Sequence, residues 1–233
     1  TGKSTLIARF MEQLVLPYMA PGPRKDRVMD EMPQSASGKM IMTCQPSFIP
    51  GEGAAEVELN DQMKAAVRLV DSVGYLVPGA PGAEEADGVR MVSTPWAEED
   101  MPFEEAAALG TAKVMEDHAN VGLVVTCDGT ICDLPRSAYV QAEETAVRQM
   151  KATGKPFALV LNSTRPQDNE TEALRRALEK KYDIPVSLLN VKEMTEQDLQ
   201  ALLSSVLTAF PLREVHFSLP DWVGALQADH WLP

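Results

Sequence analysis

Basic residues are scarce in this chain: 21 Lys and Arg stand against 34 Asp and Glu, a formal net charge of -13. Such a surface repels phosphate backbones and anionic headgroups, which argues against nucleic acid as a partner of this region. Cysteine is scarce too. Cys44, Cys127 and Cys132 are odd in number and lack the paired spacing of a metal site. That points to a reducing, cytosolic compartment rather than a disulfide framework. No apolar run approaches bilayer length and no signal peptide is visible. Neither an internal repeat nor a low-complexity tail is found. What remains is 233 residues, 45% of them hydrophobic, enough for one substantial core and the start of a second domain.

Along the chain, Ser4 to Leu16 is apolar-rich and ends at Pro17, which predicts a helix opened by a glycine turn. Pro21 to Gly38 reads as a long irregular loop. Two strands are expected next, Lys39–Ile49 and Ala65–Val70, separated by a PGEG turn and a polar stretch. The Pro- and Gly-rich segment from Leu76 to Pro102 reads as a long loop, of the kind that is usually functional or mobile. Beyond it, helix and strand alternate. Phe103, Ala107, Val114 and His118 share one helical face, VGLVVT (121–126) is a buried strand, and Tyr139–Lys151 is a helix stopped at Gly154. FALVL (157–161), a helix over Thr171–Tyr182 and a short strand over Pro185–Leu189 follow. Thr195 and Asp198 form a capping-box signal. They stand ahead of Leu199, Leu202, Leu203, Val206, Leu207 and Phe210, one amphipathic face. Strands apolar throughout, each followed by a helix, imply a mostly parallel sheet covered on both faces. Residues 1–211 are expected to form this domain. Residues 212–233 break the rhythm and read as a linker or the start of a further domain.

Chemistry enters at the first residues, Thr1-Gly2-Lys3-Ser4-Thr5. GKS matches the second half of a Walker A loop, G-x-x-x-x-G-K-[ST]. Its first glycine, and the strand that carries it, are then expected ahead of Thr1. In such a loop the N–H groups of Gly2 and Lys3 cradle phosphates, the Lys3 ammonium adds charge, and the Ser4 hydroxyl reaches Mg²⁺. GKST alone describes a Ser/Thr-capped helix start with a solvated lysine equally well. A second part is AAVRLVDSVGY (65–75), an apolar strand ending in Asp71 with Gly74 three residues on. This is the D-x-x-G of a Walker B strand, in which Asp71 holds magnesium through water and Gly74 N–H meets the γ-phosphate. A third is Thr43, placed to sense the γ-phosphate, or else an ordinary β-branched strand residue. The fourth is Asn162-Ser163-Thr164-Arg165 after FALVL. A guanine site reads N-K-x-D there. The Asn is in place, but Arg165 has no acceptor for the guanine N–H groups, so the base is expected to be adenine or loosely chosen. Four parts in this order make GKST the end of a phosphate loop.

VRLVDSVGYLVPGAPG, MVSTPWAEEDMPFEEAAALGT and VVTCDGTICDLPRSAYVQAEE go beyond a generic nucleotide-binding chain, as do KPFALVLNSTRP and KYDIPV. Over nearly its whole length the sequence resembles the N-terminal ATPase region of the stage IV sporulation protein A family, morphogenetic ATPases of the spore coat. The resemblance implies an α/β P-loop NTPase related to translation-factor-like GTPases, a three-layer sandwich with a mostly parallel sheet. It implies binding and hydrolysis of ATP with Mg²⁺, and hydrolysis that drives irreversible polymerisation. The polymer would lie on the forespore surface in the mother-cell cytoplasm, as the base layer of the coat. Lys3 matches the family's Walker A lysine, Asp71 its Walker B aspartate and Thr43 the first switch threonine. Cys44 stands where a second threonine is expected. Partners other than the chain itself, namely spore coat morphogenetic proteins and a small membrane-anchoring peptide, would bind through regions beyond these residues.

The catalytic set implied is Lys3, Thr43, Asp71 and Gly74. Thr1, Gly2, Lys3, Ser4, Thr5, Asn162 and Ser163 would hold the nucleotide, and Ser4, Thr43 and Asp71 the metal. Tyr75 follows Gly74 where relatives carry a water-orienting Gln, so no side chain is assigned to the attacking water and turnover is expected to be slow. Two other readings stay open: a ribosome-assembly-type GTPase, and a structural assembly module with a vestigial site. Base choice separates the first. In the protein with its complete phosphate loop, ATP should bind more tightly than GTP, and Arg165→Asp should move the preference towards GTP. Calorimetry showing a clear GTP preference in the unmodified protein would contradict the assignment.

Overall fold

The computed structural model describes residues 1–33, 46–60, 63–80, 84–85, 88–97 and 99–207. Helix α1, Lys3–Phe10, runs on through a wider turn at Met11–Val15 and a 3₁₀ turn at Leu16–Tyr18. It buries Leu6, Ile7, Phe10, Met11, Leu14 and Val15. Each such side chain contributes about 1.5–3 kcal/mol on leaving water. The expected loop after it contains a helix, α2, Pro23–Asp30. Its polar sequence hides it, yet Pro23 is preset for a first helical turn and Val28 alone anchors the helix in the core.

The expected strand over Ala65–Val70 is in fact two strands with different partners. β1 (Ser47–Ile49) pairs antiparallel with β4 (Leu69–Asp71), setting Ser47 opposite Asp71. β2 (Ala55–Asn60) and β3 (Met63–Val67) form their own antiparallel hairpin. The switch falls at Arg68, whose guanidinium donates to the Pro50 and Gly51 carbonyls and lies 4.7 Å from the Phe48 ring centre. β2 was hidden by its charges, although Ala55 and Val57 are buried and Glu56 is not. Two short antiparallel pairs follow, β5 (Glu84–Glu85) with β6 (Gly88–Val89) and β7 (Met91–Val92) with β8 (Met101–Pro102).

Helix α3 is Phe103–Lys113, and it widens over Val114–His118. That wider turn carries His118 off the buried face on which Phe103, Ala107 and Val114 lie. It meets the edge of the Phe48 ring instead. β9 (Gly122–Cys127), α4 (Arg136–Thr153), β10 (Phe157–Asn162), α5 (Asn169–Tyr182), β11 (Val186–Leu189) and α6 (Glu196–Leu207) then alternate. The capping box forms as expected: Asp198 N donates to Thr195 Oγ1 at 3.3 Å, and Thr195 N to Asp198 Oδ2 at 2.9 Å.

β9, β10 and β11 form a parallel sheet in the order β11-β10-β9. Its side chains alternate between two cores. Leu123, Val125, Val160 and Leu189 meet α1 and α6 on one face; Val124, Leu159, Leu161, Val186 and Leu188 meet α4 and α5 on the other. Helices on both faces explain why these strands are apolar throughout. The parallel expectation holds for these three strands, while β1 and β4 are antiparallel. Domain residues 208–211 and the tail 212–233 lie outside the described residues.

A buried polar chain ties α4 to the sheet and to α5. Arg136 donates to Thr126 Oγ1 at 3.1 Å and pairs with Glu143 at 2.6 Å, while Tyr182 OH donates to Glu143 Oε1 at 2.8 Å. Glu143→Ala would strand the Arg136 charge and the Tyr182 hydroxyl. Such a loss costs about 3–5 kcal/mol, read as a lowered urea midpoint. Glu144→Ala, which removes only an exposed pair with Lys181, should leave the midpoint unchanged. Equal midpoints for both variants would show that the chain carries no stability.

Candidate functional site

Gly2 caps α1 with φ 98°, a left-handed conformation natural to glycine. A Cβ there would stand 2.6 Å from Asn162 Nδ2, so no side chain fits. No side-chain hydrogen bond caps this helix, and the N–H groups of its first turn have no partner within it. Such a start favours an anion. Ser4 and Thr5 stand in that turn beside Lys3, all half-buried.

Lys3 reaches from the helix start to the D-x-x-G segment. A Cβ on Gly74, itself at φ 84°, would meet Lys3 Nζ at 3.1 Å. Burial pulls the Lys3 pKa below its ordinary value, and the Asp71 carboxylate pushes back. Among the described residues neither the Lys3 ammonium nor the Asp71 carboxylate has a hydrogen-bond or ion-pair partner. A partly dehydrated cation with no counter-ion is costly, and an anion arriving at Gly74 would offset that cost. The Gly74 N–H donates to Thr111 Oγ1 on α3 at 3.0 Å. A cleft of about 100 Å³ adjoins this point, lined by Thr1, Lys3, Gly74, Thr111 and the β9 edge. It suits the end of a polyphosphate and not a whole nucleotide. A larger hollow of about 250 Å³, between α2 and the Pro50 turn, shares no lining residue with it.

The donor set fits magnesium held with phosphate. Among the described residues no cluster of three His, Cys, Asp or Glu could hold an ion unaided. Mg²⁺ characteristically takes one or two carboxylates, several waters and substrate phosphates. Asp71 and the Ser4 hydroxyl are the groups that would hold it. Thr43, the expected third ligand, and its neighbour Cys44 lie outside the described residues.

Asn162 ends β10, 3% exposed. Its Oδ1 accepts from Val191 N at 3.1 Å while its Nδ2 abuts Gly2. It thus joins the α1 start to the loop after β11 and positions that glycine. Ser163 is fully buried: its N–H donates to the Leu189 carbonyl at 3.0 Å and its Oγ accepts from Arg165 N at 2.9 Å. Arg165 itself is 65% exposed and lies 3.5 Å from Asp168. Tyr75 packs into the α4 side of the core and donates to Gln149; burial, with Glu116 nearby, pushes its phenol to about 12. Its hydroxyl is committed to α4.

The sequence reading missed two groups here. Asp128, after β9, accepts from Thr130 N and Thr130 Oγ1 at 2.9 and 2.6 Å, and Thr130 Oγ1 accepts from Thr164 N at 2.9 Å. Burial raises the Asp128 pKa, but hydrogen bonds from Ser163 and Thr130 outweigh it and hold the carboxyl low. The Asp-Gly turn signal was visible; its partner loop was not. The other is Thr111, which no local pattern links to Gly74.

The family described as "Stage IV sporulation protein A, ATPase domain" matches residues 1–211. Over 232 residues the chain is 50% identical to Stage IV sporulation protein A of Bacillus subtilis (strain 168). Identity is 48% to that of Clostridioides difficile (strain 630) and 46% to that of Bacillus anthracis. Each match covers 100% of this chain and 47% of the relative, so the chain spans about half their length. No solved structure matches it.

The lowered Lys3 pKa has a measurable sign. Free protein loses the Lys3 proton at lower pH than an ordinary lysine, whereas a bound polyphosphate favours the charged ammonium. As pH rises towards the ordinary lysine value, binding of Mg²⁺-ATP should therefore take up protons, and affinity should fall. Calorimetry in buffers of different ionisation enthalpy reads the uptake. Zero uptake at every pH below the ordinary lysine value would contradict a Lys3 whose pKa is lowered by burial.

Proposed function

Since the chain belongs to the stage IV sporulation protein A ATPase-domain family, we propose that it binds Mg²⁺-ATP at the start of α1 and hydrolyses it. One observation carries this reading. The Lys3 ammonium lies against Gly74, under the influence of an Asp71 that has no ion-pair partner among the described residues, at a helix start that no side chain caps. Phosphoryl transfer needs positioning and charge neutralisation more than covalent help, and these are the groups that give it.

In this reading Gly2, Lys3, Ser4 and Thr5 present backbone N–H groups to the β- and γ-phosphates, with Thr1 at the cleft wall. Lys3 supplies charge to the same oxygens. Gly74 N–H meets the γ-phosphate as charge develops there. Magnesium, when bound, neutralises the phosphates; Ser4 and Thr43 would ligate it and Asp71 would hold it through water. Asn162 keeps Gly2 in place, and Ser163 fixes the loop that faces the base. With Arg165 turned to solvent, the position that carries the guanine-reading carboxylate offers no acceptor, which favours ATP. Tyr75 is committed to Gln149, which supports slow turnover without a water-positioning side chain.

The fold proposed is a three-layer P-loop NTPase of the translation-factor-like type. Among the described residues β4 pairs only with β1, and β9 only with β10. Ser72, Gly74, Tyr75 and Leu123–Thr126 line one cleft with Thr1. A strand ahead of Thr1, carrying the first half of the phosphate loop, would join the two sheets along that cleft. For the whole protein we propose hydrolysis coupled to self-association, forming the base layer of the spore coat at the forespore surface in the mother-cell cytoplasm. Coat morphogenetic proteins and a membrane-anchoring peptide would engage other parts of the longer protein.

Binding and switching separate by mutation. In the full-length protein, Lys3→Ala should weaken nucleotide binding itself, by the ~1.5–3 kcal/mol typical of a charge-assisted contact. Thr43→Ala removes a contact made only to the triphosphate state. Nucleotide should still bind, while phosphate release and sedimentable polymer are lost. Cys44→Ala should behave as wild type, a thiol being a poor ligand for Mg²⁺. If Thr43→Ala hydrolyses and assembles normally while Cys44→Ala does not, the sensor is on the wrong residue.

A further inference from the structure

Gly74 is held on three sides. Its N–H donates to Thr111 Oγ1 at 3.0 Å, from a residue 37 positions later in the chain. Val73 before it, and Leu76 just beyond, pack on Phe103, Ala106 and Ala107 of α3. Across the cleft, Lys3 Nζ stands 3.1 Å from where a Gly74 Cβ would be. The D-x-x-G segment is therefore clasped to α3 by an apolar contact and one hydrogen bond, with the charged face of the site directly opposite.

One N–H satisfies one good acceptor at a time. In the ATP reading proposed above, on which this inference rests, the γ-phosphate needs that N–H. A phosphate oxygen is a stronger acceptor than a hydroxyl, because it is charged. Thr111 is 4% exposed and lines the same cleft, so its hydroxyl already sits at the edge of the space the γ-phosphate would enter. We infer that Thr111 is the resting acceptor for the Gly74 N–H, and that an arriving γ-phosphate displaces it. The bond is present in the free and diphosphate states and broken only with triphosphate. α3 is then latched to the Asp71–Gly74 segment in two states and released in the third.

Release would act on more than one hydrogen bond. Phe103 N donates to the Arg90 carbonyl at 2.8 Å, and the Arg90 guanidinium lies 4.9 Å from the Phe103 ring centre. β7 and β8, which flank this point and pack on α3, would move with it. A shift of Gly74 away from Thr111 therefore loosens α3 and this hairpin together from the phosphate site. That is a physical route by which the γ-phosphate alters a distant surface.

The test measures affinity for Mg²⁺-ADP and for a magnesium complex of a non-hydrolysable ATP analogue, in full-length protein. Thr111→Val keeps the shape and removes the acceptor. It costs the free and ADP states a hydrogen bond and leaves the triphosphate state untouched. The preference for triphosphate over diphosphate should rise about three- to tenfold, the worth of one ordinary hydrogen bond. Thr111→Ala, which cannot clash, should show the same gain and decides the matter if Thr111→Val fails to fold. Thr111→Ser, which restores the hydroxyl, should return the wild-type ratio. An unchanged ratio in both Val and Ala variants overturns the latch. So does a fall in the ratio, since Thr111 would then be assisting the triphosphate. Failure of the wild type to bind either nucleotide overturns the ATP reading and the latch with it.

Discussion

A lysine ammonium taken partly out of water, with no direct ion-pair partner among the described residues, is the constraint from which the rest of this site follows. Lys3 lies on the first turn of a helix, so its charge adds to the partial positive charge of that helix start. Both effects disfavour the folded state until an anion arrives. Stability alone would replace such a group with an apolar or well-paired one. Its persistence at the mouth of a cleft, against the backbone of Gly74, is intelligible as binding energy held in reserve for a polyphosphate. Asp71 moderates the charge without neutralising it through a direct ion pair.

Everything around Lys3 serves to keep that geometry. Gly2 permits the left-handed turn that starts α1, and Asn162 fills the space that any other residue at position 2 would need. The parallel sheet brings Asn162 and the loop after β11 to the same edge. Its two apolar faces lock that edge between α1 and α6 on one side and α4 and α5 on the other. On the far side of the cleft, β1 and β4 deliver Asp71, and α3 holds Gly74. The site thus lies between two bodies of the fold, the arrangement in which a ligand can change how the bodies meet.

Much of this was legible in the sequence because it is local. GKS, D-x-x-G and the Asn after FALVL each mark a turn at the end of a strand or the start of a helix, where residue type and backbone conformation are tightly linked. The capping box at Thr195 and Asp198 was readable for the same reason. Less legible were features that depend on partners far along the chain. Nothing near Ala65–Val70 shows that the strand changes partners at Arg68. That follows from the guanidinium finding carbonyls at Pro50 and Gly51. The polar α2 escaped notice because one buried Val anchors it. The sequence marks Asn162 as a nucleotide contact, and its geometry adds a positioning role that only the fold discloses. The Thr111 hydroxyl and the Asp128 turn act across loops, where no periodicity points.

The most direct measurement is a structure of the full-length protein with Mg²⁺ and a non-hydrolysable ATP analogue. The account predicts the β- and γ-phosphates on the N–H groups of Gly2 to Thr5, with Lys3 Nζ on the same oxygens and Asp71 on the metal side. The γ-phosphate would lie within hydrogen-bonding distance of Gly74 N. Phosphates bound elsewhere, for instance in the hollow between α2 and the Pro50 turn, or a Lys3 still without an anionic partner, would contradict it.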